Sequence, residues 1–110
     1  MSQYFVLASL FIIILTGCTP KNFIVRETSS LTFYLQKSEA NRVQFAASFD
    51  HFTLHDARQN GSGLWQVKVP VNYELKYFYI VDGLIYIPEC HFKEKDDFGA
   101  ENCLYLPDRK

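Results

Sequence analysis

Gly63-Leu-Trp-Gln-Val-Lys-Val-Pro-Val-Asn-Tyr-Glu-Leu-Lys-Tyr-Phe-Tyr-Ile-Val-Asp-Gly83 is the stretch whose reading decides the fold. Trp65, Val67 and Val69 alternate with Gln66 and Lys68, and Leu75, Tyr77, Tyr79 and Val81 alternate with Lys76, Phe78 and Ile80. Period two is the signature of half-buried strands. Pro70 and Asn72 punctuate the first reversal, so the two runs are expected to form a hairpin. Asp82-Gly83 offers the paired positive-φ positions of a type I′ turn before Leu84-Ile-Tyr-Ile87 returns. Trp65, Val67 and Val69, with Leu75, Tyr77, Tyr79 and Val81, are expected to face the core, and Phe78 and Ile80 to face outward or into a groove.

The same alternation extends upstream. Leu31, Phe33 and Leu35 define one strand and Lys37 to Asn41 a turn; Val43, Phe45, Ala47 and Phe49 define the next strand. Asp50 to Ser62 has no periodicity and reads as a long loop with an Asn60-Gly61 turn. Further strands are expected at Leu64–Val71, Glu74–Val81, Leu84–Ile87 and Cys103–Leu106. No stretch sustains a helical period, so the chain reads as an all-β sandwich of about six or seven strands.

Phe5 to Leu15 is an apolar run too short for a permanent membrane span, and it closes on Leu15-Thr-Gly-Cys18. These four residues resemble the bacterial lipobox. The resemblance implies a signal peptide over residues 1–17, lipidation of Cys18 by several acyl chains, palmitate among them, and a membrane partner through that anchor. Met1-Ser-Gln-Tyr4 departs from such signals in having no Lys or Arg. An uncleaved N-terminal anchor is the alternative. Thr19, rather than Asp, after the cysteine resembles outer-membrane sorting signals, placing the protein in the bacterial envelope. Residues 18–30 then read as a tether that can pack in part as an edge strand, and residues 31–110 as one module.

Removing 17 of the 110 residues leaves 93, enough for one small domain and not two. All 11 basic and 12 acidic side chains lie outside the removed segment, and the near balance gives no pull toward nucleic acid. With Cys18 assigned to lipid, Cys90 and Cys103 remain as an even pair, and export to an oxidising space favours a disulfide. Two buried free thiols are the alternative.

His51, His55 and His91, with Asp50 and Asp56, match no zinc spacing and read as exposed loop histidines. Glu89, Glu94, Asp96, Asp97 and Glu101 read as a hydrated loop, since glycosidase chemistry needs two carboxylates across a cleft. No nucleophile pattern, metal set or cofactor motif is specified, so the chain reads as a non-enzyme. Among its many aromatic residues, Phe52, Phe78 and Tyr86 are the candidates for exposure and, grouped, would form an apolar partner surface.

Leu31-Thr-Phe-Tyr-Leu35, Val43-Gln-Phe-Ala-Ala-Ser-Phe-Asp-His-Phe52, Gly63-Leu-Trp-Gln-Val67, Tyr77-Phe-Tyr-Ile-Val-Asp-Gly83 and Asp97-Phe-Gly-Ala-Glu-Asn102 together resemble the glycogen-binding modules of AMP-activated kinase β subunits and the family-48 carbohydrate-binding modules. The likeness runs from Leu31 to Leu106 and implies an early-set immunoglobulin-like sandwich. It also implies an α-glucan site in which two tryptophans stack on sugar rings while a lysine and an asparagine bond hydroxyls. Phe52 stands at the first tryptophan and keeps a stacking face; Ile85 stands at the second and has none. Phe78 replaces the lysine and Ala100 a small hydroxyl residue, whereas Phe98 and Asn102 match the family. Ala47 and Asp50 replace the family's Gly and Asn at the end of the second strand. Two partners therefore stand open: a glycan bound through Phe52, Phe78, Ile85, Phe98 and Asn102, or an envelope protein docked on an apolar surface that has displaced the sugar site.

Overall fold

The computed structural model describes residues 21–95 and 98–107. Cys18 and the Leu15–Cys18 motif, together with Asp96 and Asp97, lie outside these residues.

Among the described residues, ten strands form two antiparallel sheets. In chain order they are β1 (Asn22–Arg26), β2 (Leu31–Gln36), β3 (Val43–Ala47), β4 (His55–Asp56), β5 (Arg58–Gln59), β6 (Leu64–Val69), β7 (Leu75–Val81), β8 (Leu84–Tyr86), β9 (Lys93–Lys95) and β10 (Glu101–Tyr105). The four-stranded sheet runs β1-β2-β6-β5, and the six-stranded sheet β4-β3-β7-β10-β9, with β8 also paired to β7. β10 lies along Leu75 to Tyr77 of β7 and β8 along Tyr79 to Val81, so the two share one side of that strand.

The core is the layer between the sheets. Leu31, Phe33, Leu35, Trp65, Val67 and Val69 enter it from one sheet, and Val43, Phe45, Ala47, Leu75, Tyr77, Tyr79 and Cys103 from the other. Phe33 bridges the two, with its ring 4.6 Å from Phe45 and 4.7 Å from Tyr77. Tilted aromatic pairs of this kind contribute about 0.5–1.5 kcal/mol beyond the area they bury. Trp65, at the sandwich margin, donates its indole N–H to the Lys37 carbonyl at 2.8 Å.

The faces expected from the alternation of β6 and β7 are the faces seen, but their pairing is not. β6 pairs with β2 and β5, while β7 pairs with β3, β8 and β10, so the expected β6–β7 hairpin is an arch between sheets. Alternation fixes which side of a strand is apolar. Two apolar sides are buried equally well when the strands face one another across a core as when they lie side by side. The five residues 70–74 cross between sheets that pack about 10 Å apart, and Asn72 anchors the crossing by donating to the Thr28 carbonyl.

The second reversal is a true hairpin. Asp82 and Gly83 take φ values of +50° and +85°, and β8 pairs back on β7. The Asp82 carboxylate accepts the backbone N–H groups of Asn41 and Arg42 at 2.8 Å each, tying this turn to the start of β3.

Asp50 to Ser62 is more ordered than a loop. Its short strands β4 and β5 belong to different sheets, and Ala57 between them donates its N–H to the Val43 carbonyl. Two-residue strands carry too little alternation to be read from sequence. β9 is likewise unannounced, being Lys-Glu-Lys with every residue exposed. Within residues 18–30, β1 forms the edge of the four-stranded sheet.

Candidate functional site

The outward face of the six-stranded sheet gathers most of the residues singled out for ligand contact. Outward positions follow from register: Ala46 opposite Phe78, Gln44 opposite Ile80, Ile80 opposite Ile85, and Asn102 opposite Glu94. One residue beyond the Cys103–Tyr77 pair, on that same outward side, stand Asn102 and Phe78.

Phe52 reaches this face through an unusual turn. Ser48–Asp50 forms one turn of 3-10 helix, after which His51 and Phe52 both take left-handed backbone conformations at φ +60° and +61°. The Phe52 N–H donates to the Ala47 carbonyl at 2.9 Å, and the Ser48 hydroxyl accepts the Lys76 N–H at 2.9 Å. The turn thereby folds back over β3 and β7. Phe52 then stacks on Phe78, with centroids 5.8 Å apart and planes at 21°. A left-handed conformation at a bulky residue costs about 1–3 kcal/mol and persists only where surroundings impose it, which is why such residues concentrate at functional sites. No glycine or asparagine at 51 or 52 signals this turn in the sequence.

The remaining expected residues divide. Ile85 projects from the same face and is 71 % exposed. Asn102 occupies the same face but is only 9 % exposed, so its amide is not freely offered to solvent. Phe98 is almost wholly exposed on the approach to β10. Tyr86 does not belong to this surface, contrary to its expected place among the exposed aromatics. It packs against the core margin, and the Lys37 ammonium lies 4.2 Å from its ring centroid. Being one residue from Ile85 in a strand, it must point the other way.

The histidines were expected to be solvated loop residues. His51 and His91 are exposed, but His55 is half-buried, with Nε2 2.5 Å from Asp50 Oδ2 and its ring stacked on Phe49. The correction has a tertiary cause: β4 is held against β3, which draws His55 onto the 3-10 turn. The other oxygen, Asp50 Oδ1, is buried without a hydrogen-bond partner among the described residues. No group of three or more His, Cys, Asp or Glu side chains converges on a common point among the described residues. Of the acidic residues in the Glu89–Glu101 region, Glu94 pairs with Lys76 at 3.0 Å.

Cys90 and Cys103 form a disulfide with Cα atoms 6.0 Å apart. Cys103 is fully buried on β10 and Cys90 lies in the segment after β8, so the bond fastens that segment to the core. Beside it, between β1 and residues 89–92, is an open cavity of about 430 Å³ whose walls include Ile24, Tyr77, Phe92 and Tyr105. On the opposite face of the sandwich, Thr32, Tyr34, Arg58, Gln66 and Lys68 line a shallow polar groove.

No family model matches the chain, and no curated protein sequence matches it.

Proposed function

We propose that this chain is a non-catalytic, lipid-anchored envelope module with an early-set immunoglobulin-like sandwich, and that it binds carbohydrate of the α-glucan type on the outward face of its six-stranded sheet. The observation that carries this reading is the stacked Phe52–Phe78 pair, which shares that face with Ile85 and Asn102. These are positions where the resemblance to glycogen-binding modules calls for sugar contacts. An aromatic ring binds the apolar face of a pyranose, and neighbouring polar groups then fix its orientation. Gln44 on the same face supplies an amide where that of Asn102 is largely buried. The disulfide fits an extracytoplasmic compartment. Only Thr19 to Lys21 separate Cys18 from β1, so the module would be held within about 14 Å of the anchor by the reach of an extended chain.

A second reading is favoured by one feature of the same face. Phe52 turns one side toward Phe78, and exposed Ile85 extends the apolar surface, so apolar side chains stand where a cation and a second stacking ring would serve a sugar. That chemistry suits an envelope protein with an apolar contact surface.

Titrating the chain with maltoheptaose while recording amide NMR spectra separates the two. The glycan reading expects shifts confined to residues around Phe52, Phe78 and Asn102, abolished by Phe52→Ala. Spectra unmoved by the sugar would overturn it in favour of the protein partner.

A further inference from the structure

β1 is an open edge. Its odd-numbered residues bond to β2, as shown by the hydrogen bond from the Gln36 N–H to the Lys21 carbonyl and that from the Glu27 N–H to the Ser30 carbonyl. N–H and C=O of one strand residue point to the same side, so Asn22, Ile24 and Arg26 direct theirs away from the sheet. None of these backbone groups has a partner among the described residues. Among the described residues the other sheet margins are short or charged: β4 and β5 have two residues each, β8 has three, and β9 is Lys-Glu-Lys. β1 has neither protection. It is five residues long, contains no proline, and presents exposed Phe23 and Val25 beside its open groups. Edges of this kind are templates for strand addition.

The sequence of this edge is complementary to itself. We propose that β1 pairs antiparallel with β1 of a second copy about a twofold axis at Ile24, joining the two four-stranded sheets into one continuous sheet. In that register Ile24 faces Ile24 of the second copy and Asn22 faces Arg26. All the outward backbone groups of both strands are then satisfied in hydrogen-bonded pairs. Phe23 lies opposite Val25, covering the exposed apolar side chains, and Lys21 lies opposite Glu27, placing opposite charges together at both ends. The antiparallel register centred on Val25 would set Phe23 against Glu27. The register centred on Phe23 would leave Glu27 beyond the end of the partner's strand. Only the Ile24-centred register both uses Asn22, Ile24 and Arg26 symmetrically and matches charge. Such an interface is isologous, as a closed dimer requires.

Directly opposed non-hydrogen-bonded residues in antiparallel strands have Cα atoms about 4.5 Å apart, within disulfide reach. Full-length chains carrying Phe23→Cys and Val25→Cys, differently tagged, are mixed and oxidised with copper-phenanthroline. The pairing predicts a covalent dimer containing both tags, with little same-tag product, because 23 faces 25 and not 23. Adding Arg26→Pro to both chains removes an outward N–H without touching the bonds to β2, and abolishes the cross-link. Absence of the mixed dimer, or same-tag dimers in equal amount, overturns the proposal. A Phe23→Cys adduct with a different protein in whole cells, without the mixed dimer, overturns self-pairing and assigns the edge to that partner.

Discussion

Phe52 and Phe78 stack 5.8 Å apart across the outward face of the six-stranded sheet, although one comes from a left-handed turn and the other from the middle of a central strand. The contact converts two separated residues into one aromatic surface.

If that surface is a weakened sugar site, restoring the missing chemistry should strengthen it. Phe78→Lys adds a donor to sugar hydroxyls and Ile85→Trp adds a second stacking face, and the charged hydrogen bond alone is expected to contribute about 1.5–3 kcal/mol. The double variant should therefore bind maltoheptaose at least tenfold more tightly than the unaltered chain by calorimetry. Equal affinity would show that neither position limits binding.

The disulfide is expected to contribute a large share of the stability of so small a domain. Cys90→Ala with Cys103→Ala opens a loop whose ends are 13 residues apart and should lower unfolding free energy by about 3 kcal/mol in the chain-entropy model. Urea denaturation with and without dithiothreitol measures it. The reductant should shift the midpoint of the natural chain and leave that of the double variant unchanged.

Two glycines with similar backbones should respond differently to alanine. Gly63 and Gly83 sit at φ +84° and +85°, but a Cβ at Gly63 would lie 2.5 Å from Ser38 Cβ, whereas one at Gly83 meets nothing within 4 Å. Gly83→Ala should lose about 1 kcal/mol from the left-handed conformation alone. Gly63→Ala adds a steric clash and should lose about 2–4 kcal/mol, the range of strain plus overpacking. Thermal unfolding of the pair tests the order, and equal losses would contradict it.

Alkaline pH should unfold the protein through its core tyrosines. Burial pushes the Tyr77 phenol up to about 12, and burial, with a smaller contribution from the Tyr77 charge, raises Tyr79 well above the ordinary range. Each folded pKa exceeds its unfolded value, so the stabilisation is complete below about pH 10. As pH climbs from about 10 toward 12, the unfolded chain releases protons that the folded chain retains, and stability falls by about 1.4 kcal/mol per unit for each tyrosine. Urea midpoints at about pH 9 and about pH 11 should differ accordingly. Tyr77→Phe should reduce the dependence.

Alternation in the sequence determined the strands and their inner faces. Leu31, Phe33, Leu35, Val43, Phe45, Trp65, Tyr77 and Tyr79 all face the core, because a period of two leaves a strand only one apolar side to bury. The Asp82-Gly83 turn was legible for a similarly local reason: it requires positive φ at both positions, and these residues supply it. The Cys90–Cys103 pair followed from counting. What only the tertiary structure decided is which strands lie side by side. Trp65 and Leu75 belong to opposite sheets, because an apolar face is equally satisfied by a neighbour across the core. The same holds for the surface. Phe52 is brought to Phe78 by two left-handed residues that no glycine announces, Asn102 is buried by the strands around it, and His55 is drawn to Asp50 when β4 docks on β3. These relationships depend on long-range register and packing, and a linear pattern carries no record of the partner strand.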